Sequence, residues 1–128
     1  MDTPLIHACN LTRRYTVGKS VVAALSKIDL LVPRGEFTAL VGPSGSGKST
    51  LLNLIGGLDH PSAGEVHVDG LSLGAATEQQ LVRYRRERVG FIFQSFNLLP
   101  TFSAVENVES PLMLAEVSKR ERRERAAS

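Results

Sequence analysis

The run GPSGSGKST, Gly42 to Thr50, carries the residue types that grip a phosphate. Gly42–Ser49 fits the pattern G-x-x-x-x-G-K-[ST], preceded by an apolar run of strand length, Phe37–Val41, and followed by helically spaced leucines. Each position has a chemical reason. Gly42, Gly45 and Gly47, with Pro43, Ser44 and Ser46 between them, allow consecutive backbone N–H groups to turn inward as an anion nest. The N-terminus of the following helix adds about half a positive charge. Lys48 is expected to reach the β- and γ-phosphates, the Ser49 hydroxyl to ligate Mg2+, and Thr50 to donate to the α-phosphate. The bland alternative is a chance Gly/Ser turn, and the strand-like and helix-like flanks weigh against it.

Elements must position that loop. Leu5–Tyr15 and Val21–Val32 read as β-strands around the turn-like TVGKS, with Ile28, Leu30 and Val32 alternating with Asp29. Phe37–Val41 reads as a strand covered on both faces. From Lys48 a helix is expected, with Leu51, Leu52 and Ile55 on its apolar side and Gly56-Gly57 as its stop. Gly64–Gly70 predicts a short strand ending in an Asp-Gly turn, and Val89–Phe93 another apolar strand. Thr77 is a candidate cap for the polar helix TEQQLVRYRRER. Ser103 with Glu106, and Ser118 with Glu121, are candidate capping boxes for two further helices. Neither an internal repeat nor a low-complexity segment is present.

Composition narrows the function classes. The 128 residues are 42% hydrophobic and 22% charged, as expected for one globular domain. No apolar run approaches the length of a membrane span, and no leader pattern opens the sequence, so the default expectation is a cytosolic chain. Cys9 is the only cysteine, read as a buried or half-buried thiol, and His7, His60 and His67 show no zinc spacing. Eleven of the fifteen basic residues are arginine, concentrated in Arg83–Arg88 and Lys119–Arg125. Glutamates interrupt both runs and Tyr84 is their one aromatic, so they read as solvated helix faces and nucleic acid is not expected as a partner. None of Asn53, Asn97 and Asn107 is followed by lysine, so an Asn-Lys-x-Asp guanine element is missing.

The flanks narrow the choice further. Tyr15 lies 27 residues before Gly42, and Gln94, in FQSFNLLP, lies 46 after Lys48. With GPSGSGKSTLLNLIGGLDHPSAGEVHVDG and RRERVGFIFQSFNLLPTFSAVENVESPLMLA, the chain resembles the ATPases of ATP-binding cassette (ABC) transporters, closest to the lipoprotein-releasing and macrolide-exporting branch. The resemblance runs from about Leu5 onward. It implies an α/β P-loop NTPase fold of ABC ATPase type, with an N-terminal antiparallel β part and the start of a helical subdomain. Residues 1–93 would form the β part and P-loop core, and residues 94–128 the Q-loop and that subdomain's start. Tyr15 would stack on adenine, and Gln94 would reach Mg2+ and the attacking water. Phe96, Leu98, Leu99 and Phe102 would be either contacts to the membrane partner or subdomain core. Implied cofactors are ATP and Mg2+. Implied partners are transmembrane permease subunits and a second ATPase subunit joined through ATP, at the cytoplasmic face of the inner or plasma membrane.

Such ATPases also carry an LSGGQ-type signature, an apolar strand ending in Asp-Glu, and a switch histidine. No glycine follows Gly90 and no histidine follows His67. Asp69 is followed by Gly70 and reads as a hairpin turn, while Asp59 lies too far down the loop helix from Ser49 to touch a metal there. The chain is thus expected to be the front half of such an ATPase, which holds a nucleotide, lacks the residues that break it, and exposes apolar sheet edge. Hydrolysis would belong to the complete domain dimer. Two alternatives stand beside that reading: a truncated, non-catalytic nucleotide-binding fragment, and a DNA-linked ATPase favoured by the arginine runs alone.

Overall fold

The computed structural model describes residues 3–128. Its elements are β1 (Ile6–Val17), β2 (Ser20–Val32), α1 (Lys48–Ile55), β3 (Ala63–Val68), β4 (Leu71–Ser72), α2 (Glu78–Arg88), α3 (Ala104–Leu114) and α4 (Lys119–Ala127). The chain forms two compact units that divide between Arg85 and Arg86.

In the first unit one antiparallel sheet has the order β2-β1-β3-β4. Gly18 and Lys19 turn β1 into β2, closing the hairpin the sequence predicts. The β1–β2 register shifts between Ala8 and Leu11 and again before Arg13, with Asn10 and Lys27 at positive φ. The irregularity is tied down by side chains. Thr12, itself buried, donates through Oγ1 to the Asn10 carbonyl at 3.1 Å and accepts from the Lys27 N–H at 3.1 Å. Asp29 accepts from the Asn10 N–H at 2.7 Å. Gly64 has to be glycine here, because a Cβ would sit 2.2 Å from the Asn10 carbonyl oxygen.

Ala8, Leu11, Leu25, Val32, Val66 and Val68 turn to one side of the sheet, where α1 packs against β2 and β3 with Leu51 and Leu54. The buried helix pair is therefore i and i+3. Leu52 is exposed, unlike the face read from spacing alone. Cys9 is exposed too, because Ala8 takes the inward position beside it and strand side chains alternate. α2 adds Leu81 and Tyr84 to the core, and the Tyr84 hydroxyl donates to the Ile55 carbonyl at 2.6 Å. Burial raises the Tyr84 pKa. Arg85 donates to the Gly57 carbonyl at 2.6 Å, so α2 satisfies carbonyls at the end of α1 that no helical N–H reaches. Asp69 and Gly70 both have positive φ in the two-residue β3–β4 turn, as the Asp-Gly pair predicts.

Two expected strands do not form. Phe37–Val41 and Val89–Phe93 pair with none of the described strands, and Phe37, Val41 and Ile92 are almost fully exposed. A parallel strand is stable when neighbours fill its ladder and helices cover both faces. Here the whole sheet is antiparallel and stops at β2 and β4.

In the second unit α3 and α4 pack together. Ser103 and Glu106 form the full capping box, with bonds of 3.2 and 2.7 Å. Hydrogen bonds from the Ser103 backbone and side chain hold the Glu106 carboxyl below its ordinary pKa. Ser118 caps α4 through the Glu121 N–H. No helix among the described residues is long and apolar enough to cross a membrane.

Candidate functional site

Gly42–Gly47 leads directly into α1, whose first three residues are Lys48, Ser49 and Thr50. Gly47 is the N-cap, with φ 93°, and its missing side chain lets the loop lie against β2. A Cβ there would meet the Ala24 carbonyl oxygen at 2.5 Å and Leu25 Cδ2 at 2.7 Å. The first intrahelical bond runs from the Leu51 N–H to the Gly47 carbonyl at 2.9 Å, so the N–H groups ahead of it have no intrahelical acceptor. The Lys48 ammonium folds back over the loop, donating to Gly42 O at 2.5 Å, Pro43 O at 2.8 Å and Ser46 Oγ at 3.0 Å. Ser49 is exposed one residue on. Helix-terminal N–H groups, one ammonium and one hydroxyl on a glycine-hinged turn are the donor set that an anion would need, with the Ser49 hydroxyl oxygen free at its edge to face a cation.

Tyr15 lies half-buried on β1, in the same unit. Its hydroxyl donates to Asp59 Oδ2 at 2.7 Å, and the Arg13 guanidinium carbon stands 4.3 Å from the ring centroid. Arg13 Nε donates to the same Asp59 oxygen at 2.8 Å, while Asp59 Oδ1 accepts from the His60 N–H at 2.8 Å. Burial pushes the Asp59 carboxyl up, but the bonds from Tyr15, Arg13 and His60 outweigh it and hold the pKa below the ordinary 3.8. The bond to Asp59 in turn raises the Arg13 pKa. Sequence reasoning dismissed Asp59 as a metal ligand and saw no other role for it. Its partners are strand residues 44 and 46 positions away, so nothing local marks it.

Gln94 lies in a bend of the second unit and is exposed. Phe96, Leu98 and Leu99 are exposed as well and add nothing to a core of that unit; Phe102 is half-buried. Asn107 organises their backbone, accepting from the Leu99 N–H at 2.8 Å and donating to the Leu99, Phe102 and Ser103 carbonyls. Among the described residues no group of three or more His, Cys, Asp or Glu side chains could hold a metal by itself.

A family model described as ABC transporter matches residues 25–128. The chain belongs to the ABC transporter family. It is 44% identical over 125 residues to an ABC transporter ATP-binding protein of Methanocaldococcus jannaschii, covering 95% of this chain and 53% of that protein. Across its full length it is 47% identical to the macrolide export ATP-binding/permease protein MacB of Sodalis glossinidius, covering 20% of it. Among solved structures, the dimeric cassette MJ0796 in a post-hydrolysis state bound to ADP and Pi superposes with a TM-score of 0.88 at 43% identity, over 95% of this chain and 54% of that one. The fold is therefore the α/β fold of ABC ATPase cassettes. The chain spans about half the length of the archaeal relative and about a fifth of MacB.

Proposed function

We propose that this family member is the nucleotide-holding part of an ABC transporter ATPase. It binds Mg-ATP and powers export or lipoprotein release by a membrane-embedded partner. The observation that supports this best is the Gly47-hinged loop, with Lys48 and Ser49 at the start of α1. Gly42, Ser44, Gly45, Ser46 and Gly47 would wrap the β- and γ-phosphates with backbone N–H groups, Pro43 would shape the turn between them without donating, and Thr50 would reach the α-phosphate. Lys48 would exchange its bonds to the Gly42 and Pro43 carbonyls for bonds to phosphate oxygens. Ser49 would ligate Mg2+, which when bound would neutralise charge on the bridged phosphates. Tyr15 would carry the adenine by stacking. Gln94 would complete the metal and water shell.

These residues hold a nucleotide; those that cleave it are not among them. Turnover is accordingly assigned to the complete domain dimer, formed with a second ATPase subunit through ATP at the cytoplasmic face of the membrane, with permease subunits as cargo selectors. Residues 94–128, Q-loop and helices, would begin the subdomain that meets those permeases. A non-catalytic nucleotide-binding chain, in which the same loop holds a nucleotide without turnover, is the second reading. Steady-state ATP turnover separates the two.

Titration calorimetry with Mg-ATP tests the core of the proposal. Lys48→Ala removes a charge-assisted donor and should lower affinity about a hundredfold while leaving the circular dichroism spectrum intact. Equal affinity in a folded Lys48→Ala variant would refute the site.

A further inference from the structure

Asp59 sits just past the end of α1 and does more than pair with one cation. Its Oδ2 accepts both the Tyr15 hydroxyl and Arg13 Nε, and its Oδ1 is held by the His60 N–H. Arg13 is braced in turn, since its Nη1 donates to the Arg14 carbonyl at 3.2 Å and to Ser62 Oγ at 3.4 Å. The Tyr15 ring is therefore gripped at its tip by a carboxylate and covered on one face by a guanidinium.

We propose that Asp59 and Arg13 are positioning residues for the nucleotide base, locking the Tyr15 ring so that only the face turned away from Arg13 is offered to adenine. The inference rests on the ATP-binding reading above. It adds residues, and an order of stacking, that the loop motif does not contain. An isolated exposed ion pair would be worth little. This one is largely shielded, with side-chain exposures of 24% and 22%, and it shares its acceptor oxygen with the phenol.

Two physical consequences follow. A tyrosine free to rotate must be ordered when a base stacks on it, whereas a ring already hydrogen-bonded at its tip loses little further freedom. The guanidinium occupies one π-face, so a base on the other would complete a three-layer stack of arginine, tyrosine and purine. The helix supplies the spacing. α1 begins in the phosphate loop and, with eight residues, runs about 12 Å before the glycine pair that leads to Asp59. The phosphate end and the base platform are thus tied to one rigid element.

The test compares Mg-ATP with inorganic tripolyphosphate in titration calorimetry on the intact protein, Asp59→Ala, Tyr15→Phe and the double variant. Asp59→Ala should bind Mg-ATP about tenfold more weakly and tripolyphosphate as tightly as the unaltered protein. Tyr15→Phe keeps the ring and loses the tether, so it should show the same split, and the double variant should be no worse than Asp59→Ala alone. Unchanged Mg-ATP affinity in Asp59→Ala overturns the inference. So does an equal loss toward both ligands, which would mark Asp59 as a support of α1 only. Failure of the unaltered protein to bind either ligand would overturn the nucleotide reading and this inference with it.

Discussion

Lys48 has three ammonium protons, and all three are already engaged by Gly42, Pro43 and Ser46. The triphosphate binding proposed there would be an exchange of partners, favoured because phosphate oxygens carry charge and carbonyls do not. The motif alone pointed to Lys48 and Ser49 as candidates at the head of α1, since a phosphate-loop pattern lies within nine consecutive residues. Asp59 was not legible as part of that chemistry, because its partners arrive from β1. Its titration yields a prediction with a definite sign. A carboxyl held below 3.8 in the fold stabilises the native state above that pH, and the contribution fades as pH falls through the depressed value. The Arg13 guanidinium paired with it, its own pKa raised by that bond, stays charged throughout that range. The stability gap between the unaltered protein and Asp59→Asn should thus be constant from about pH 7 to pH 5 and shrink below about pH 4. Urea melts at each pH measure it. A gap that changes between pH 7 and pH 5 would point to a different group.

Helices illustrate a different balance. Their starts are written locally: Ser103, Ser118 and Thr77 each accept from the N–H three residues on, and Gln80 returns the bond to the Thr77 N–H at 2.8 Å. α3 tolerates Pro111 inside it because the Asn107 carbonyl, deprived of its N–H partner, accepts from the Ser110 hydroxyl at 2.9 Å. What docks α4 is not local at all. None of its residues is buried, so no apolar stripe holds it. Glu109 of α3, only 2% exposed, pairs instead with Arg122 at 3.4 Å and Arg123 at 3.0 Å. The basic run that reads as a solvated face thus has two arginines turned toward a buried carboxylate. Glu109→Ala should destabilise the second unit by about 3 kcal/mol, the low end for a broken buried pair because both arginines can turn to water. Hydrogen exchange should show α4 amides losing protection while β1 amides keep theirs. Unaltered α4 protection would mean that something other than Glu109 docks it.

On the scale of the whole chain, the apolar runs Phe37–Val41 and Val89–Phe93 lie outside the sheet, leaving Phe37, Val41, Ile92 and Phe93 at the surface. Exposed, unpaired, β-prone segments seek a ladder and promote association. The 128-residue chain should therefore self-associate in a concentration-dependent way, and Phe37→Asp combined with Ile92→Asp should suppress it. Light scattering across a dilution series is the measurement. A monomer at every concentration would contradict the argument.

The sequence by itself determined the elements whose causes are neighbours in the chain. These are the period-two alternation of β2, the Asp69-Gly70 hairpin, the serine and threonine caps, and the glycine-hinged phosphate loop with Lys48 at the head of α1. Backbone dihedrals and hydrogen bonds spanning three or four residues act over that range, so local residue types suffice. Only the tertiary structure decided that Asp59 grips Tyr15 and Arg13, that Glu109 is buried against α4, that Cys9 faces outward, and that two strand-like runs find no ladder. Each of those outcomes depends on which distant residue becomes a neighbour. Burial, charge pairing and strand partnership are properties of the assembled contact, and a residue's own letter does not contain them.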